Sequence, residues 1–182
     1  MLGGATRFLN YLPDSDKGYK AQFLLGKTTN TLDITGEITG EYEVNVGIDD
    51  VEKALDDFHG KINQIPQMYS AVSVDGQRLY DLARKGIEVE RKAREVEIKE
   101  LTLVKELCSE AENLYTINVI CSKGTYIRTL IDDIGKKLGC GAVMTELERT
   151  LAMGFTLQNC VSLENMQERK NNELGFDDVL KR

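Results

Sequence analysis

The stretch from residue 121 to 142, CSKGTYIRTLIDDIGKKLGCGA, sets an aromatic side chain, Tyr126, and a cation, Arg128, at the start of a predicted helix. Unpaired backbone N–H groups and the positive end of the helix dipole favour an anion at such a place. A guanidinium keeps its charge at any working pH and grips a carboxylate or phosphate through two parallel hydrogen bonds. These residue types therefore point to contact with an anion or a nucleic acid. Two periodicities meet here. Tyr115, Ile117, Val119 and Cys121 alternate with Thr116, Asn118 and Ile120, as in a strand buried more heavily on one face. Beyond a Ser122-Lys123-Gly124 turn, Ile127, Leu130, Ile131, Ile134 and Leu138 follow helical spacing, and Gly139 supplies the stop. Asp132 with Lys136 and Asp133 with Lys137 are expected to be solvated i,i+4 pairs, each contributing about 0.3 kcal/mol.

A second aromatic, Tyr19, lies in an alternating run in which Tyr19, Ala21, Phe23 and Leu25 face one way and Lys20 and Gln22 the other, the pattern of another strand. Residues 64–94, QIPQMYSAVSVDGQRLYDLARKGIEVERKAR, bring together Tyr69, Ser70, Arg78 and Arg84. Together with the SDKGYKA run around Tyr19, the LGKTTNTLDITGE run after it and the LERTLAMGFTL run from Leu147, these segments, in this order, resemble TruB-type tRNA pseudouridine synthases. The resemblance fades only after about Asn165.

The resemblance implies cofactor-free isomerisation of a T-loop uridine of tRNA to pseudouridine. The target base must leave its stack at a cost of a few kcal/mol and be held by stacking and edge contacts. Tyr19 matches the family's active-site tyrosine, expected to stack on the flipped base and to take part at C5. Stacking on an aromatic contributes about 1–3 kcal/mol per base without demanding directional bonds. Arg128 matches the arginine that pairs with the nucleophilic aspartate, Tyr126 a substrate-contacting tyrosine and Leu147 a residue lining the uridine pocket. Arg149 is expected to touch RNA or a carboxylate, and Arg78 and Arg84 to belong to an RNA-clasping insertion over about 64–94. Ser73 stands where the family commonly has lysine, and Glu148 where it commonly has arginine. Both changes remove positive charge, although single phosphate contacts are replaceable. The implied partner is the tRNA T-arm, with no protein partner evident.

In this family the nucleophile belongs to a G-T-L-D-P motif, which does not occur in this sequence. Thr31-Leu32-Asp33 is similar, but lacks the preceding Gly and following Pro. With Gly36 close behind, Asp33 is expected to be a turn residue. The chain thus reads as a synthase without its N-terminal catalytic segment and its C-terminal RNA-binding domain, inactive alone. The alternative is a non-catalytic tRNA-binding remnant of the same scaffold. With no aspartate opposite it, Arg128 is expected to be unmatched, a situation that costs about 3–5 kcal/mol when buried, and its pocket to be open to water or filled by an anion. The reading requires Tyr19 and Arg128 to line one cleft.

Composition permits this reading without selecting it. The 182 residues carry a net charge of -7, which argues against an RNA partner until its distribution is considered. Residues 30–58 hold nine acids with Lys53 as the only base, leaving the other 153 residues at +1. Cys108, Cys121, Cys140 and Cys160 form no C-x-x-C pair and His59 is the single histidine, so free thiols in a reducing, cytoplasmic compartment are expected and no metal site. No run approaches the roughly 18 apolar residues of a membrane span. No G-x-S-x-G is present, which argues against a serine hydrolase.

The expected fold is α+β, a mixed, largely antiparallel sheet with flanking helices as in pseudouridine synthases, over a partial catalytic domain at 1–165 followed by a charged segment at 166–182. Asp49 with Glu52 reads as a capping box for a helix whose stripe is Ile48, Val51, Leu55 and Phe58. Gln77–Lys85 reads as a short helix ended by Gly86. Val96 and Ile98 fall out of phase with Leu101 and Leu103, predicting a bulge or two strands.

Overall fold

Alternation along Lys17–Leu25 produces β1, the strand at the centre of the fold, with Tyr19, Ala21, Phe23 and Leu25 all buried on one face. The computed structural model describes residues 15–162 except 69, 71, 72, 75 and 88, together with residues 7, 11, 164 and 165. In chain order β1 is followed by a small hairpin of β2 (Lys27–Thr29) and β3 (Ile38–Glu41), then by α1 (Ile48–Leu55) and β4 (Gly60–Gln64). A second small hairpin, β5 (Ser73–Val74) and β6 (Gln77–Arg78), leads into α2 (Leu79–Arg84). There follow β7 (Arg94–Leu103), β8 (Leu114–Cys121), α3 (Ile127–Leu138), β9 (Ala142–Ala152) and β10 (Phe155–Thr156).

Six of these strands form one sheet in the order β10-β9-β1-β8-β7-β4, every ladder antiparallel. This is the expected α+β architecture. Helix α3 lies against β9 and β1, and α1 packs on α3 and β7. Their stripes, Val51 and Leu55 from α1 and Ile127, Leu130, Ile131 and Ile134 from α3, close over the odd-numbered residues of β1 and β8 in a single core. Each such aliphatic side chain contributes about 1.5–3 kcal/mol by leaving water. On the other face Lys20, Gln22, Thr116, Glu146 and Glu148 line an open hollow. The outer edge of β9 meets Leu32–Ile34 at Met144 and β10 at Leu151–Ala152, and among the described residues no strand pairs with it between those points.

The phase shift in β7 is a bulge in one strand: Ile98 opposes Cys121 and Glu100 opposes Ile120, so Lys99 is skipped. Val96, Ile98 and Leu101 are thereby all buried. Gly139 ends α3 in the left-handed conformation at φ 78. Gly135 permits the close return of the chain, since a Cβ there would collide with the backbone of Gly141 and Ala142.

Three local expectations are corrected. The cap of α1 is Gly47, not Asp49, and the acid that closes it is Asp50, whose Oδ2 accepts the Gly47 N–H at 3.0 Å. Starting two residues earlier lets Glu110 accept the Ile48 N–H at 2.7 Å, a partner that helical spacing could not show. Lys137 pairs with Asp57, beyond the end of α1, and not with Asp133. Asp132 does pair with Lys136 at 2.6 Å, but it is buried instead of solvated. Helix α2 is shorter than the predicted 77–85, because Gln77 and Arg78 pair with Val74 and Ser73.

Candidate functional site

Arg128 occupies the first turn of α3, as its sequence predicts, and its Nη2 lies 2.9 Å from Oδ2 of Asp33. The expectation of an unmatched guanidinium is therefore corrected: a carboxylate faces it, one placed by tertiary folding from a segment distant in sequence. Asp33 is also the turn residue it was expected to be. Its Oδ1 accepts the Thr35 N–H at 3.1 Å and the Thr35 hydroxyl at 2.7 Å, and its carbonyl accepts the Gly36 N–H. The preceding Leu32 takes the left-handed conformation, φ 59, which a branched side chain adopts only when its surroundings impose it.

What imposes it is β9. The Met144 N–H donates to the Leu32 carbonyl and the Ile34 N–H donates to the Met144 carbonyl, so that Asp33 is stitched to the strand between two backbone bonds. Burial in the turn pushes the Asp33 carboxyl up, yet the Thr35 bonds and the Arg128 guanidinium outweigh it and hold it below its ordinary value of 3.8. The carboxylate side chain is 15% exposed and the arginine 38%, so the pair is half-sheltered from water.

Further along β9, Arg149 stands opposite Tyr19 of β1. Its Nη2 donates to the Tyr19 hydroxyl at 3.1 Å, and its guanidinium carbon lies 5.3 Å from the ring centre. Arg149 thus meets a phenol, not a carboxylate. Tyr19 is 7% exposed, with its ring in the core and its polar tip capped by the arginine. Leu147 opposes Ala21 and, two residues before Arg149 on the same strand, points to the same side. From its residue type alone it would be assigned to the core, but it is 45% exposed. Arg128 with Asp33 and Tyr19 with Arg149 are two contact groups that both attach to β9, the first through the Asp33 turn at Met144 and the second at Arg149 itself.

Tyr126 is the residue that caps α3, half-buried, with no side-chain cap of its own. Arg78 and Arg84 converge on a residue that sequence reasoning passed over, Tyr80. Their guanidinium carbons lie 5.9 and 5.5 Å from its ring centre, within the range of a cation–π contact, and the Arg78 Nη1 donates to its hydroxyl at 3.4 Å. The i,i+4 spacing of Tyr80 and Arg84 on α2 was the available signal. Lys85 joins them around a shallow hollow. Tyr69 lies outside the described residues, as does the charged segment 166–182.

The comparisons agree from one end of the chain to the other. The family model described as TruB family pseudouridylate synthase (N terminal domain) matches residues 1–127, and that of the tRNA pseudouridylate synthase B C-terminal domain matches residues 128–181. The chain belongs to the TruB family of pseudouridylate synthases. It is 53% identical over 167 residues to tRNA pseudouridine synthase B of Pseudomonas syringae pv. syringae (strain B728a), covering 92% of this chain and 53% of that protein. It is 46% identical over 166 residues to tRNA pseudouridine synthase B of Salmonella paratyphi B (strain ATCC BAA-1250 / SPB7), covering 91% and 52%. The chain therefore spans about half the length of the curated relatives it matches.

Among solved structures, a crystal structure of a Cbf5-Nop10-Gar1 complex superposes with a TM-score of 0.67 at 24% identity, covering 98% of this chain and 44% of the other. A structure of an H/ACA RNP bound to a substrate RNA containing 2'-deoxyuridine superposes with a TM-score of 0.62 at 21% identity, covering 96% and 42%. At that identity the likeness defines the fold. The two family models meet between Ile127 and Arg128, inside α3, while the sheet runs on without a break from β8 through β1 to β9.

Proposed function

We propose that the protein to which these residues belong converts a T-loop uridine of tRNA to pseudouridine without a cofactor. The observation that carries this reading is the 53% identity over 167 residues with a tRNA pseudouridine synthase B. The reaction is an isomerisation. The bond from ribose C1' to N1 breaks, the base turns, a bond forms from C1' to C5, the C5 proton leaves and N1 gains a proton.

In this reading Tyr19 and Arg128 line one cleft, with Leu147 and Tyr126 against the base. Tyr19 meets the extruded pyrimidine at its hydroxyl end, which Arg149 fixes. Arg128 holds charge where a nucleophilic carboxylate works, and Asp33 holds Arg128. Asp33 is not read as the nucleophile, because Thr31-Leu32-Asp33 lacks the Gly before and the Pro after it that the G-T-L-D-P motif requires, and its carboxylate closes a turn on Thr35. The 182 residues contain no G-T-L-D-P run, and no turnover is expected from them alone. Arg78 and Arg84 meet the T-arm from the 64–94 segment, and Arg149 meets it from β9.

Tritium release from a T-arm hairpin labelled at uridine C5 tests both halves of the proposal. The full gene product is expected to release label and the 182-residue chain to release none. Release by the 182 residues alone would refute the division of labour, and no release by the full gene product would refute the activity.

A further inference from the structure

Gln64 is the last residue of β4, paired with Arg94 of β7, so these two residues close the base of the segment between them. Its side chain is turned inward and is 1% exposed. A carboxamide offers a donor and an acceptor in one plane, as a backbone peptide does, and Gln64 spends both on one residue. Its Oε1 accepts the Tyr126 N–H at 3.0 Å and its Nε2 donates to the Tyr126 carbonyl at 3.3 Å. That carbonyl also accepts the Leu130 N–H at 3.0 Å, which opens α3. No side chain caps α3 from its own N-cap residue, and the amide from β4 holds that residue's backbone from across the fold.

We infer that Gln64 is a positioning residue for the uridine site: by imitating a strand peptide it fixes Tyr126, and with it Arg128 two residues on, against the base of the 64–94 segment. This rests on the function proposed above. Only a carboxamide satisfies both backbone groups of Tyr126. A carboxylate would lose the donor and face the carbonyl with negative charge, and an apolar isostere would leave a buried N–H without a partner. Because Arg94 pairs with Gln64, movement of the 64–94 segment when it meets RNA is transmitted to the helix start through two hydrogen bonds.

The test is Gln64→Met, which keeps the volume and removes both bonds, with Gln64→Glu, which keeps the acceptor for the Tyr126 N–H, both in the full gene product. For Gln64→Met, kcat on a T-arm hairpin is expected to fall by about tenfold or more, the order of loss that misplacement of reacting groups causes. KM is expected to move by less than about threefold, since remote phosphate contacts remain. Amide exchange at Tyr126 is expected to quicken in a protein that still melts cooperatively, with Gln64→Glu between Gln64→Met and wild type. A wild-type kcat in folded Gln64→Met, a loss of turnover that only follows the loss of folded protein, or unaltered Tyr126 exchange would overturn the inference. If the wild-type protein makes no pseudouridine, the functional reading fails first, and the Tyr126 exchange still decides whether the clamp exists.

Discussion

Asp33 and Arg128 meet across the fold, Oδ2 to Nη2 at 2.9 Å, because one is stitched to β9 and the other opens α3. Substitution Asp33→Asn keeps an acceptor for Thr35 and removes the charge opposite the arginine. It is expected to cost about 1 kcal/mol in urea unfolding, with Asp33→Ala costing about 2–3 kcal/mol because the turn bonds go too. A double-mutant cycle with Arg128→Met should return a coupling of at least about 0.5 kcal/mol. Additive effects would show that the contact is energetically idle.

The same pair sets an acid limit. The folded Asp33 carboxyl titrates below its ordinary 3.8, so the unfolded chain binds the proton more readily. The stabilisation is fully present above pH 3.8 and is lost as pH falls through the lower folded value. Urea midpoints of wild type and Asp33→Asn, measured downward from pH 6, should stay separated until that window and converge within it.

Tyr19→Phe keeps the ring beneath Arg149 and removes the hydroxyl that the arginine binds at 3.1 Å. Its expected cost is about 0.5–1.5 kcal/mol of stability. A melting comparison with Arg149→Met, which removes both contacts, should rank the two, with the phenylalanine variant the milder.

Arg84 and Arg78 flank Tyr80 on the surface of the 64–94 segment. Arg84→Ala is expected to weaken T-arm binding by the full gene product and to reduce the slope of log affinity against log salt by about 0.7–0.9, one phosphate contact. An unchanged slope would take Arg84 off the RNA interface.

Gly135 lies inside α3, where alanine would ordinarily gain up to about 1 kcal/mol from helix propensity. Here a Cβ meets the backbone of Gly141 and Ala142, so Gly135→Ala is expected to destabilise by about 2 kcal/mol or more. A raised melting temperature would mean that β9 can draw back.

Periodicity reached what is local or repeats. The strands around Tyr19 and Tyr115, the stripe and stop of α3 and the dislocation at Lys99 were all readable, because each leaves a pattern in consecutive residues. What escaped is held by contacts between distant segments. Asp33 looked like a turn and is one, but nothing near it in sequence announces Arg128. Gln64 has the composition of a strand end, and only its inward side chain reveals the clamp on Tyr126. Leu147 shows the converse: its residue type suggests the interior, while its place near the outer edge of the sheet leaves it open to water.

That open border of β9 has a cost in solution. Among the described residues no strand covers it between Met144 and Leu151, and there it offers peptide groups to any extended chain that drifts past, including another molecule of the same kind. Glu146 and Glu148, both exposed, project from this stretch, so two molecules zipping along it would bring like charges together. Neutralising them would trade electrostatic self-avoidance for stickiness, which light scattering at rising concentration would register before any change in melting.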